Sequence, residues 1–238
     1  MSGKLKALGL GLFAALAMSA VGATPASAAF GLSEISVAFT EADGSPARLA
    51  GSHPYAMTTS FRVNTKMHPK KGVPVVDGAL RNLDVVMPEG FAGNPTAVPR
   101  CDTIDFLASG AAGPACAAST AVGKLTVEVG GGTGIPGEET VPVYNLNPSP
   151  GIAAKLGFWV AEVPITVEVT PSTSHPYNVV ARLRNTSQIT EVLSSVFTIW
   201  GDPSDPSHNA ERGRCLYTED KYTLSLHDAL PIDRKSVV

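Results

Sequence analysis

The sequence predicts an all-β protein: an antiparallel β-sandwich, Ig-like or jelly-roll-like, with one short helix. Apolar and polar residues alternate through a series of short runs, the period of half-buried strands. The 23 glycines and 19 prolines punctuate those runs, and aromatic residues are sparse at 6%. That chemistry suits many turns between short strands better than long helices.

The two ends of the chain bound the fold. Residues 1–28 carry Lys4 and Lys6, an apolar run over 7–21 and then Ala26-Ser27-Ala28. This is the three-part layout of a secretory signal peptide, with cleavage expected after Ala28. As a membrane anchor the run is short of the roughly 20 residues that span a bilayer. A secreted or cell-surface location follows, with no membrane insertion after cleavage. At the other end, residues 223–232 read TLSLHDALPI, which matches one reading frame of a common sequencing-library adaptor. Residues 217–238 are therefore set apart as a non-native tail, and residues 29–216 are expected to form the β-sandwich domain.

Without those two ends, about 188 residues remain. Taking their five basic and four acidic residues from the totals of 18 and 21 leaves 13 against 17. A net charge near −4 supplies no electrostatic reason for a nucleic-acid or anionic-membrane partner.

In order, Ile35, Val37 and Phe39 alternate with Ser36 and Ala38, and Asp43-Gly44-Ser45-Pro46 turns the chain. Met57, Thr59, Phe61 and Val63 share the next period. Lys66, Lys70 and Lys71 lie in a turn-like basic segment, read as a solvated loop rather than an anion site. A central unit spans residues 83–129. Leu83, Val85 and Met87 open it on one face, and Leu125, Val127 and Val129 close it. Between them Asp102 or Thr103 is placed to cap one or two helical turns over 102–108. The GGGTGIPG stretch that follows lacks a GK[ST] ending and reads as a turn rather than a phosphate loop. Further strands are expected around Val141 and Val143, over 156–160, 165–169 and 177–183, and over 196–200. The last is apolar on both faces, as in a covered central strand. One tetrapeptide recurs: Ser52-His53-Pro54-Tyr55 and Ser174-His175-Pro176-Tyr177, with Arg62 and Arg184 seven residues beyond each Tyr.

Cys101 and Cys116 form the best-supported pair. In an exported chain their thiols meet oxidising conditions, and a disulfide closing a loop of this size contributes about 3 kcal/mol in the chain-entropy picture. The alternative is a thiolate nucleophile or a metal site, but no His or second CxxC lies near. Cys215 is left over. Asp202, Asp205 and His208 supply oxygen and nitrogen donors for a metal such as Ca²⁺, yet their prolines also fit a plain exit loop. Trp159, Trp200 and Tyr177 are the side chains able to stack on sugars, although both tryptophans sit inside apolar runs that favour core packing. No GxSxG or HExxH pattern occurs.

As a set, the segments GSHPYAMTTSF, LDVVMPEGFAGNPTAVPRC, PVYNLNPSPGIAAKLGF and TIWGDPSDPSHNAERGRC resemble the N-terminal region of a group of large, uncharacterised, exported β-rich bacterial surface proteins. The resemblance covers nearly all of residues 30–216. It implies a fragment followed by further β-rich domains, a disulfide between Cys101 and Cys116, and a partner for Cys215 further along. It carries no activity. The expected function is a non-enzymatic structural or adhesive module of a larger protein, needing no cofactor. Its partner would be an extracellular protein, a glycan or downstream domains of the same chain. The alternatives are a carbohydrate-binding or carbohydrate-active domain and a Ca²⁺-stabilised surface protein.

Overall fold

The computed structural model describes residues 30–49, 51–110, 113–130, 137–187 and 191–212. The expected leader, the adaptor-like tail, Cys215 and most of the GGGTGIPG stretch lie outside them. The strands are β1 (Leu32–Thr40), β2 (Ala56–Val63), β3 (Thr65–Met67), β4 (Pro74–Val76), β5 (Leu83–Val86), β6 (Ser109–Gly110), β7 (Gly113–Pro114), β8 (Ala121–Gly130), β9 (Gly137–Leu146), β10 (Ala154–Val160), β11 (Val163–Pro171), β12 (Val179–Leu183) and β13 (Glu191–Trp200). Among the described residues there are also two short helices, α1 (Thr103–Leu107) and α2 (Asn209–Arg212), and two 3₁₀ turns. The fold is all-β, with its short helix inside the cysteine loop as the sequence predicts.

Nine strands form one antiparallel sheet in the order β1-β2-β13-β8-β9-β10-β11-β12-β5. Hydrogen bonding is continuous from edge to edge, so the facing halves of the core belong to a single sheet that curls over. The curl is visible in the aromatic contacts. Phe158 on β10 and Phe197 on β13 meet edge to face at 5.9 Å although β8 and β9 lie between their strands. Phe39 on β1 and Phe91, which follows β5, come to 6.3 Å and bring the two free edges of the sheet near each other.

Alternation dictates what each face carries. On the concave side Leu125, Val127, Val141, Val143, Phe158 and Val160 form the buried core. On the convex side, hydroxyls pair across strands: Ser36 with Ser60 at 2.7 Å, Thr58 with Thr198 at 3.1 Å and Thr126 with Thr140 at 2.9 Å. Arg62 reaches over β13 to Glu128 at 3.2 Å. Such pairs suit a solvated sheet face.

Two expectations shift in detail. Lys66 lies in β3, which pairs with β4, and its ammonium meets Asp77 at 2.8 Å, whereas Lys70 and Lys71 remain in the exposed turn. β13 is central, between β2 and β8, but it is not covered on both faces, because Val196 on the convex side is exposed. The apolar run there reflects β-propensity as well as burial.

Candidate functional site

The segment after β5 positions the first feature. It crosses the end of the concave face, where Asn145 of β9 takes hold of it. The Asn145 side-chain amide donates to the carbonyls of Pro95 at 3.0 Å and of Val98 and Pro99 at 3.4 Å. The backbone amide of Cys101 then donates to the Asn145 carbonyl at 2.8 Å. Beyond that point the chain lies on the convex face of β9 and β10.

There Cys101 and Cys116 are joined in a disulfide, with Cα atoms 5.4 Å apart. Between them α1 drives Phe106 into the sheet. Phe106 is fully buried, packed with Cys101 and Leu146. It needs Gly157 beneath it, because a Cβ at that position would come within 2.8 Å of the Phe106 ring. Trp159 closes the side of this cluster, its indole N–H donating to the Phe106 carbonyl at 3.0 Å and its ring meeting Phe106 edge-on. Asp102 is the N-cap of α1, but its carboxylate accepts a hydrogen bond from Asn147 rather than from the helix. The cysteine loop is thus a packed, stapled unit.

A second cluster gathers where β13 ends. Trp200 is buried and stacks on His208 at 4.4 Å with the planes 14° apart. The guanidinium of Arg212 lies 5.7 Å from the Trp200 ring centre. Tyr55 presents its hydroxyl to Ser207 at 2.9 Å and to His208 Nδ1 at 3.4 Å. His208 is 1% exposed, and burial pushes its pKa below the ordinary 6.5 against the opposing pull of Glu211. Asp202 accepts from the Ser204 amide and hydroxyl at 2.9 and 2.6 Å, and Asp205 accepts from the Ser207 amide at 2.7 Å. These bonds hold both carboxyls below their usual pKa. The two carboxylates therefore shape their own turns. Among the described residues, no group of three or more His, Cys, Asp or Glu side chains is arranged to hold a metal ion.

The three side chains read as sugar platforms are placed differently from one another. Trp159 and Trp200 are engaged as above. Tyr177 is exposed, with a φ of 60°, and its ring meets that of His175 edge to face at 6.0 Å.

The feature that sequence reasoning missed is the concave face itself. The curled sheet encloses an open-sided cavity of about 1260 Å³. Its walls come from β1, β2, β5 and β8–β13, and its rim from residues 47–49, 51–54, 88–95, 97 and 201–203. Side chains of alternate parity supply the walls, so the lining is mainly apolar, with Thr59, Asn145, Thr170 and Ser195 among its polar side chains. One flank is β1, where Ile35 and Val37 are 60% and 45% exposed although they share the concave parity of Met57, Thr59 and Phe61. Among the described residues β1 pairs only with β2. The sequence signal for this flank existed in the Ile35-Val37-Phe39 alternation, but alternation cannot tell an open edge from a covered strand.

No helix among the described residues is long and apolar enough to cross a membrane. No protein-family model matches the chain, and neither a curated protein nor a solved structure was found to be significantly similar to it.

Proposed function

We propose that the protein is a non-catalytic structural or adhesive module of a larger exported protein, and that it joins its neighbours through β1. The observation that carries this reading is the state of that strand. β1 is nine residues long, bonded on one side only among the described residues, and its apolar side chains Ile35 and Val37 stand exposed. A bulge between Leu32 and Glu34 protects its start, and the amide of Ala47 takes the carbonyl of Phe39 near its end at 2.9 Å. Between them, Ile35-Ser36-Val37-Ala38 contains no charge and no proline. Natural edge strands carry such devices to prevent pairing, and a strand without them is a template for an added strand. Strand addition gives affinity through main-chain bonds and specificity through alternate side chains. The disulfide fits an oxidising compartment.

The test is a display experiment with the full chain. Cells or beads carrying it are expected to adhere to one another or to a partner-coated surface. Ile35→Lys with Val37→Lys should cut adhesion about tenfold while leaving folding stability within about 0.5 kcal/mol, as for surface changes generally. Adhesion that is indifferent to both lysines would reject β1 as the joining strand.

A further inference from the structure

We infer that the concave cavity is a binding site for a neutral long-chain acyl ester, a glyceride-like lipid held with its chain along the trough. The inference is independent of strand addition at β1, since it concerns the interior of the sheet and not its edge.

Size is the first ground. At about 1260 Å³ the cavity exceeds the roughly 300–1,000 Å³ that houses drug-sized ligands. A packed interior leaves few voids larger than a water molecule, so a space of this volume is not ordinary core. The state of its walls is the second ground. Leu156, Ile165, Val167, Leu183, Phe197 and Ile199 all pack against the buried core, yet each is only partly buried. They present a largely aliphatic and aromatic surface, interrupted at Ser195, that a hydrocarbon chain would dehydrate, at about 25 cal/mol per Å² of apolar area.

The third ground identifies the guest more closely. Thr59 lines the cavity, is 7% exposed, and its hydroxyl has no hydrogen-bond partner among the described residues. The residues directly opposite it on the two flanking strands, Val37 and Phe197, offer only apolar side chains. A buried hydroxyl without a partner costs free energy and calls for an explanation. The hydroxyl oxygen is itself buried, so it meets an oxygen on a guest by rotating about χ1 as the guest enters. The guest is therefore mainly hydrocarbon with an acceptor oxygen within it, such as an ester carbonyl. A bare alkane would leave Thr59 unsatisfied, and a protein strand would spend its carbonyls on the sheet edges. The rim settles the charge. Arg48, Glu89 and Asp202 all border the cavity, one cation against two carboxylates, so an anionic head group gains nothing there.

The experiment uses the full chain, the fluorescent ester methyl cis-parinarate, and competition by 1-monooleoylglycerol and by hexadecane. Saturable binding of one ester per chain is expected, displaced by monooleoylglycerol more effectively than by hexadecane. Thr59→Val, nearly isosteric, should weaken ester binding about threefold to tenfold, the worth of one neutral hydrogen bond, and leave hexadecane competition unchanged. Ala181→Phe, which fills the lumen from β12, should abolish binding of both. If that variant fails to fold, the Thr59→Val comparison still decides. The inference is overturned by the absence of saturable binding, or by ester affinity that Thr59→Val leaves unchanged. It is equally overturned if Thr59→Val weakens ester and alkane alike, or if the chain sediments as a dimer whose trough excludes the probe, which would make a second copy the occupant.

Discussion

The two sides of the curled sheet are treated in opposite ways. Over β9 and β10 the convex face is covered by α1, clamped through Asn145 and stapled by Cys101–Cys116, so that Phe106 is buried to 1% exposure. At β1, four places from β9 in the sheet order, Ile35 and Val37 stand 60% and 45% exposed. The same alternation thus yields a finished surface in one region and an unfinished one in the other. What separates them is a loop long enough to return and cover the sheet, together with a cross-link to hold it there.

The contrast is broken most severely at Phe106. Phe106→Ala empties the notch above Gly157 and should cost about 3–5 kcal/mol, read as a lowered denaturation midpoint. A loss below about 1 kcal/mol would mean that the loop is no better anchored than the β1 edge. Next comes the staple. Cys101→Ala with Cys116→Ala should cost about 3 kcal/mol, and reduction of the wild-type chain should give the same loss. If reduced and oxidised protein unfold at the same denaturant concentration, the covering loop holds without its cross-link.

The smallest effect sharpens the comparison from the side of the open strand. β2, which carries β1, is fixed at its start by Tyr55 against His208, which in turn stacks on Trp200. Burial pushes the His208 pKa down, while Glu211, Asp205 and Asp202 favour its charged form and Arg212 disfavours it. The unfolded chain takes up a proton near the ordinary 6.5, where the folded chain does not. More protons on the unfolded state means that stability rises with pH. This contribution is complete above about 6.5, declines as the pH falls below it, and levels off below the folded-state pKa. His208→Phe should flatten that slope in thermal melts taken across the window, and an unchanged slope would remove His208 as its source.

Much of this arrangement was legible in the sequence. The alternating runs located the principal strands, and two cysteines flanking a helix-capable segment located the covering loop. Sheet order was not legible. β5 pairs with β12, so that Leu83 lies opposite Leu183, and no local pattern marks a partner so far along the chain. The recurring Ser-His-Pro-Tyr was legible as an echo but not in its outcome. Tyr55 enters the buried cluster, whereas Tyr177 is left exposed, because only the first copy lies beside the residues that follow β13. Thr59 left a mark that alternation alone undervalues. A polar residue standing in the parity of Met57, Phe61 and Val63 reads as an ordinary strand threonine until its hydroxyl is seen to lack a partner among the described residues.

The pairing of β1, β2 and β13 also sets how the protein would bear load. Leu32 lies opposite Val63 at one end of β2, and Trp200 lies opposite Ala56 at the other. A pull applied between Leu32 and Trp200 therefore runs lengthwise along three bonded strands. The ladder is sheared, its hydrogen bonds are strained side by side rather than opened one after another, and mechanical resistance follows from strand direction alone.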